Sequence, residues 1–234
     1  MQRFFFTGPL QRAGQLVTLP PDAARQVVTV LRAREGDQIR LFNHSGPEWL
    51  TSVTQITRDR VSVQLIEVVT SRPVPARSFT LCTALLKGDK LEWVLQKGTE
   101  LGVFAFQPML TERVVARKIN TPERWERIVV EAAELCGRVT IPKIEVPVTL
   151  AEALRYQGAK LLCYEDEHTL AFTEALAGLP GSGLAVFVGP EGGFAEREVE
   201  EARAAGALVT SLGSLLLRAE TAAIAASTLA LLGP

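Results

Sequence analysis

An apolar run, Ala185-Val186-Phe187-Val188, stops at Gly189-Pro190-Glu191-Gly192-Gly193, and Glu196 and Glu198 then open a helical pattern. A strand, a glycine-rich turn and a helix in that order can bring backbone N–H and C=O groups close to a ligand at the carboxyl end of the strand. The acid inside the turn narrows the choice of ligand. Glu191 repels an anion and no Lys-Ser or Lys-Thr pair follows it, so a phosphate cradle is disfavoured. The spacing also departs from Gly-x-Gly-x-x-Gly, and no acid about twenty residues on frames a dinucleotide site. What suits this turn is an uncharged or cationic ligand with hydrogen-bonding edges, such as adenosine attached to a sulfonium. A tight strand-to-helix turn with no ligand is the alternative.

A second segment has the same grammar. Ser211-Leu212-Gly213-Ser214-Leu215-Leu216-Leu217-Arg218-Ala219-Glu220-Thr221-Ala222 runs from a strand end through a loop into a helix. Arg218 and Glu220 interrupt an otherwise aliphatic stretch at a helix entrance, where side chains and free N–H groups can face one bound molecule. A surface ion pair beside a helix N-terminus would look the same. Lys87-Gly88-Asp89-Lys90 is a third strand-to-helix junction, with two lysines near the turn.

Other chemistry is scarce. The two histidines, His44 and His168, leave little room for a Ser-His-Asp arrangement or a common zinc site. Cys82, Cys136 and Cys163 are far apart among aliphatic neighbours and read as free buried thiols. Glu165-Asp166-Glu167-His168 reads as a solvated loop, so no metal is expected. No run of eighteen apolar residues occurs, and the start, Met1 to Pro9, is too short in its apolar part for a secretory segment. The expectation is a soluble, cytoplasmic protein.

The elements that must position these segments fall into two groups. Short alternating stretches at residues 38–42, 50–56 and 61–65, separated by Gly36-Asp37, Gly46-Pro47 and Arg58-Asp59-Arg60, predict a small β-barrel. One amphipathic helix interrupts it, with Asp22 as N-cap and Val27, Val28, Val30 and Leu31 as its apolar positions. The two prolines of Ser71-Arg72-Pro73-Val74-Pro75-Ala76 mark a domain boundary. Beyond it, strands at 79–85, 103–108, 161–164, 184–188 and 208–212 alternate with helices at 90–101, 122–136, 169–176, 196–205 and 220–232. That order predicts an α/β domain with a mostly parallel sheet. Charge divides at the same place: residues 1–77 hold ten arginines, no lysine and six acids, a net +4, while the remainder has 15 basic against 20 acidic residues, a net −5. An all-arginine basic segment suits phosphate contacts and base stacking in RNA.

Taken in order, these segments resemble the SPOUT-class methyltransferases, in particular the family that methylates N3 of a uridine in 16S ribosomal RNA. The residues that carry the resemblance include Val30-Leu31-Arg32, Gly36-Asp37, Lys87-Gly88-Asp89-Lys90, Gln96-Lys97-Gly98-Thr99-Glu100-Leu101-Gly102-Val103, Glu112-Arg113, Glu131-Ala132-Ala133-Glu134, Gly137-Arg138 and the two late loops. The resemblance implies a PUA-like RNA-binding β-barrel at residues 1–72, a SPOUT α/β domain with a trefoil knot at 73–234, and a homodimer acting on the small ribosomal subunit. It implies an S-adenosylmethionine site among Gly189, Pro190, Glu191, Gly192, Leu212, Gly213, Leu217, Arg218, Glu220, Thr221 and Ala222, with the turn after Tyr164 as a third wall. Arg218 and Glu220 are the candidate catalytic residues. Arg25, Arg32, Arg34, Lys87, Arg113 and Arg138 are the candidate RNA contacts. Gln26, Leu135 and Leu215 stand where the family more often has histidine, glutamine and arginine. A ribose 2′-O-methyltransferase acting on transfer RNA, or a non-catalytic RNA-binding or ribosome-assembly protein, would share the donor loops.

Overall fold

The structure is a computed structural model and describes residues 1–44, 46–57, 60–69, 78–114, 121–181 and 183–233. The expected domain boundary at 71–76 and the turn residues Arg58 and Asp59 lie outside the described residues. The chain forms two compact units, Met1–Val74 with Val130–Ile141, and Pro75–Val129 with Pro142–Pro234.

In the first unit, β1 (Arg3–Phe5), β2 (Leu16–Thr18), β3 (Gln38–Phe42), β4 (Glu48–Ile56) and β5 (Val61–Val69) form one sheet in the order β1-β3-β4-β5-β2. The strands alternate: Val61, Val63 and Leu65 of β5 are buried while their neighbours face outward. Register shifts between Leu50 and Thr51 and between Val53 and Gln55 bend the long β4–β5 hairpin. β1 and β2 are the two edges of this order, so the sheet is an open half-barrel around Phe4, Leu41, Val53, Val63 and Leu65.

The helix between β2 and β3 differs from expectation. Pro20, not Asp22, is its N-cap, and α1 (Pro21–Arg25) starts on a proline whose missing N–H costs nothing at that position. It then widens into a π-helical turn, Gln26–Val30. The wider turn changes the helical phase, so of the four expected core positions only Val27 is buried; Val28, Val30 and Leu31 are exposed.

The second unit contains β6 (Phe79–Ala84), α2 (Lys90–Leu101), β7 (Ala105–Leu110), the start of α3 (Pro122–Cys136), β8 (Lys143–Ile144), β9 (Val148–Thr149), α4 (Leu150–Ala153), β10 (Ala159–Cys163), α5 (Phe172–Ala177), β11 (Leu184–Val188), α6 (Glu196–Ala204), β12 (Leu208–Thr210) and α7 (Ala219–Leu232). Its sheet runs β12-β10-β11-β6-β7-β8, with β9 also on β7, and every described pairing is parallel. β11 is buried at all five positions, as a strand covered on both faces must be. On one face α4 and α6 pack against Leu162, Ala185, Phe187 and Val209. α2, α5 and α7 form a second helical group, in which α7 leaves the edge strand β12 and lies over β11 and β6.

The second half of α3 belongs to the first unit, where Arg3 of β1 holds its end. The Arg3 guanidinium donates to the carbonyls of Ala133 and Arg138 at 3.1 and 3.2 Å and to Glu48 Oε1 at 2.6 Å, and lies over the Phe42 ring. A cation at a helix C-terminus satisfies carbonyls that the helix leaves open.

Candidate functional site

Three neighbouring parallel strands end at one level: Cys163 of β10 pairs with Val188 of β11 and with Thr210 of β12. The segments that follow, 164–168, 189–193 and 211–218, therefore leave the sheet side by side at its carboxyl edge, the usual ligand position of an open α/β sheet. They enclose a cavity of about 800 Å³, whose wall also takes in Lys90 of α2 and Ala219 and Ala222 of α7. This volume falls within the range typical of small-molecule and cofactor sites.

Each wall is held by its own hydrogen bonds. The N–H of Tyr164 donates to the Thr210 carbonyl at 3.0 Å, and the N–H groups of Phe172 and Ser211 donate to the carbonyls of Ser211 and Leu170, both at 2.9 Å. Glu167 accepts from the N–H groups of Thr169 and Leu170 and from the Thr169 hydroxyl. Those bonds, the hydroxyl first, pull its pKa down to about 2. Glu167 is thus a clamp of the 164–168 turn. The glycine turn closes through the Gly193 N–H on the Pro190 carbonyl at 3.0 Å. Gly193 stands at φ +68, and a β-carbon there would overlap Glu165 Oε1. Only glycine lets this turn and the Glu165 carboxylate share that space.

Of the residues expected at the donor site, Gly189, Pro190, Glu191, Leu212, Gly213, Leu217, Arg218 and Ala222 line the cavity. Gly192, Glu220 and Thr221 are not among its lining residues. Gly192 faces a second cavity of about 510 Å³ with Lys87, Glu112, Arg113, Val114 and Glu191. There Arg113 Nη1 donates to the Gly192 carbonyl at 2.9 Å. The two cavities share Glu191.

Lys90, noted in the sequence only as one of two lysines at a strand-to-helix junction and given no role there, lines the cavity. Its ammonium donates to Glu191 Oε1 at 3.0 Å and lies 3.7 Å from Glu220 Oε2. Burial pushes the Glu191 carboxyl up, but the Lys90 ammonium and the N–H of Lys87, 3.1 Å away, outweigh it and hold its pKa below the usual carboxylate value. Glu191 is therefore an ionised, partnered group and a constraint on the turn. No sequence signal links positions 90 and 191; only the parallel packing of β6 beside β11 brings their following loops together.

Arg218 is the N-cap residue of α7, its carbonyl accepting from the Ala222 N–H at 2.8 Å, and its exposed guanidinium makes no ion pair among the described residues. Leu215 and Leu216 of the same loop are 79% and 83% exposed. Cys163 also lines the cavity, but burial pushes its thiol up to about 12, which leaves it an inert SH group. The charged lining comprises Lys90 and Arg218 against Glu165, Asp166 and Glu191. With Glu220 behind Lys90, acids exceed cations, and the cavity favours a ligand of positive charge.

The expected RNA contacts separate into three groups. Arg25, Arg32 and Arg34 are all exposed on the first unit, beside the exposed Val28, Val30 and Leu31. Lys87 and Arg113 are exposed at the second cavity. Arg138 is different: it is 8% exposed, its Nε donates to Thr140 Oγ1 at 3.0 Å, and burial lowers its pKa to about 10. It is part of the packing around the end of α3.

Residues 73–231 match the family model of the RNA methyltransferase domain, and residues 21–66 match that of the RNA methyltransferase PUA domain. The class is thus an RNA methyltransferase with an appended PUA-like sheet. Ribosomal RNA small subunit methyltransferase E of Bacillus subtilis is 34% identical over 95% of this chain and 93% of its own. The Rickettsia conorii protein of the same name is 37% identical over 86% of this chain and 82% of its own. The crystal structure of the Neisseria gonorrhoeae protein of that name, bound to S-adenosyl methionine, superimposes with a TM-score of 0.89 at 32% identity, covering 97% of this chain and 95% of that one. The chain belongs to the ribosomal RNA small subunit methyltransferase E family. Among the described residues no helix is long and apolar enough to cross a membrane.

Proposed function

We propose that this protein is an S-adenosylmethionine-dependent methyltransferase that methylates N3 of a uridine in 16S ribosomal RNA, acting in the cytoplasm on the small ribosomal subunit. The observation that carries this reading is the cavity over three adjacent strand ends, bounded by the two late loops and by more carboxylates than cations. Its size, its backbone hydrogen-bonding edges and its charge fit an adenosyl sulfonium. When bound, the donor supplies an electrophilic methyl group on a cationic sulfur. Gly189, Pro190, Glu191, Leu212, Gly213, Leu217 and Ala222 would hold it, largely by backbone, and Gly192, Glu220 and Thr221 would support those loops from behind.

Holding donor and acceptor in line supplies much of the acceleration of a displacement. Arg218, exposed at the cavity and making no ion pair among the described residues, would stabilise negative charge on the uracil carbonyls as N3 loses its proton. Glu220 could anchor the loop or assist proton removal; its position behind Lys90 supports the anchor. Full methylation by both Arg218→Ala and Glu220→Ala would refute these roles.

In this reading residues 1–72 grip the RNA through Arg25, Arg32 and Arg34, residues 73–234 carry the chemistry, and Lys87 and Arg113 position the backbone of the acceptor strand. The homodimer implied by the resemblance finds support in α7, whose Ile224, Leu229 and Leu231 are partly exposed and whose Leu232 is 63% exposed. The return of α7 from the edge strand to β11 and β6 is compatible with the implied knot. The test is incubation of unmodified small-subunit particles with labelled donor, followed by nucleoside analysis. Label in 3-methyluridine is expected; label in a ribose methyl group, or none, would overturn the reading.

A further inference from the structure

At the α2 wall of the cavity one ammonium stands between two carboxylates. Lys90 Nζ lies 3.0 Å from Glu191 Oε1 and 3.7 Å from Glu220 Oε2. The Glu220 side chain is 17% exposed and its Oε2 has no hydrogen-bond partner among the described residues, so its charge is balanced there by Lys90. Two negative charges against one positive give the cluster an excess of negative charge. The remaining charged groups of the cavity are Glu165, Asp166 and Arg218.

We infer that the Lys90–Glu191–Glu220 cluster makes the pocket prefer a cationic sulfonium over the neutral thioether left after methyl transfer, with Lys90 as the specificity-determining residue that limits the preference. The inference rests on the donor reading of the cavity. A wall of fixed negative charge attracts a sulfonium and is indifferent to a thioether of nearly the same shape, so it favours exchange of product for fresh donor. Lys90 tempers this attraction and keeps the two carboxylates from repelling each other. A unit charge added or removed several ångströms from a sulfonium in a partly solvated wall changes its affinity about three- to tenfold.

Calorimetry with S-adenosylmethionine and S-adenosylhomocysteine tests this, reading the ratio of product to donor dissociation constants. Lys90→Met is expected to raise that ratio about three- to tenfold, and Glu191→Gln to lower it by a similar factor. Lys90→Arg keeps the charge and should keep the parent ratio. The shift in Lys90→Met should shrink as salt is added. A ratio unchanged in both Lys90→Met and Glu191→Gln, even with both affinities reduced, overturns the inference and leaves Lys90 a purely structural residue. Binding of neither compound by the parent protein would instead overturn the donor reading, and this inference with it.

Discussion

Alanine at position 193 should weaken donor binding by about tenfold, corresponding to about 1.4 kcal/mol, without unfolding the protein. Gly193 has φ +68, a region that an L-residue enters at a cost of roughly 1–2 kcal/mol. The added β-carbon would overlap Glu165 Oε1 and lie 2.8 Å from its Cδ. Glu165 is exposed, so its carboxylate can swing aside, but in doing so it leaves the cavity wall. If the turn relaxes in the free protein, the backbone cost falls on binding, because the donor must restore the turn. Gly206 is the control. It stands at φ +80, a β-carbon there would meet nothing within 4 Å among the described residues, and it does not line the cavity. Gly206→Ala should lose about 1 kcal/mol of stability and no donor affinity. Calorimetry with the donor and urea unfolding of both variants make the comparison. Donor binding by Gly193→Ala within about twofold of the parent, or an equal loss of affinity in Gly206→Ala, would refute this role of the Gly193 turn.

Three further outcomes are expected. Arg3→Met should cost about 2–4 kcal/mol, because Glu48, whose side chain is 3% exposed, loses its partner at 2.6 Å and keeps only the more distant, partly exposed Arg40 at 3.7 Å. The Arg3→Met/Glu48→Leu double variant should recover part of that loss in urea unfolding; equal midpoints for single and double variants would count against the buried pair. Burial raises the Glu134 carboxyl to about 7, despite the Phe5 N–H that donates to it at 2.7 Å. Since its folded pKa lies above the unfolded value, the folded state binds more protons between about pH 4.5 and 7, and the stability it confers falls as pH rises through that window. Glu134→Gln should remove this component of the slope, seen as a parent-minus-variant difference in urea midpoints; identical slopes would contradict it. Replacing Arg25, Arg32 and Arg34 together by alanine should lower RNA affinity and flatten its dependence on log salt by about 0.7 for each phosphate no longer neutralised, measured by filter binding at several salt concentrations. An unchanged slope would remove these arginines from the RNA surface.

Where strong local signals agree, the sequence is a good guide. α2 begins at Lys90 after a glycine turn, α3 begins at Pro122 after Thr121, and β11 is an unbroken apolar run, and all three stand where the pattern puts them. The two cavity-lining loops are legible for the same reason: glycines mark backbone turns at strand ends. What stays hidden depends on partners distant in sequence or on very short elements. β8 and β9 have two residues each and no period to detect. The π-helical turn after Arg25 breaks the phase on which the expected face of Val28, Val30 and Leu31 depends. Arg138 looks like any exposed basic residue until the fold buries it, and Lys90 until Glu191 and Glu220 are brought to it.

The most direct test of the account is a crystal structure of the protein with S-adenosylmethionine. The adenosyl group is expected in the cavity over β10, β11 and β12, against Gly189 to Glu191 on one side and Leu212 to Arg218 on the other. Density for the donor anywhere else, or these two loops drawn apart around an empty cavity, would contradict it.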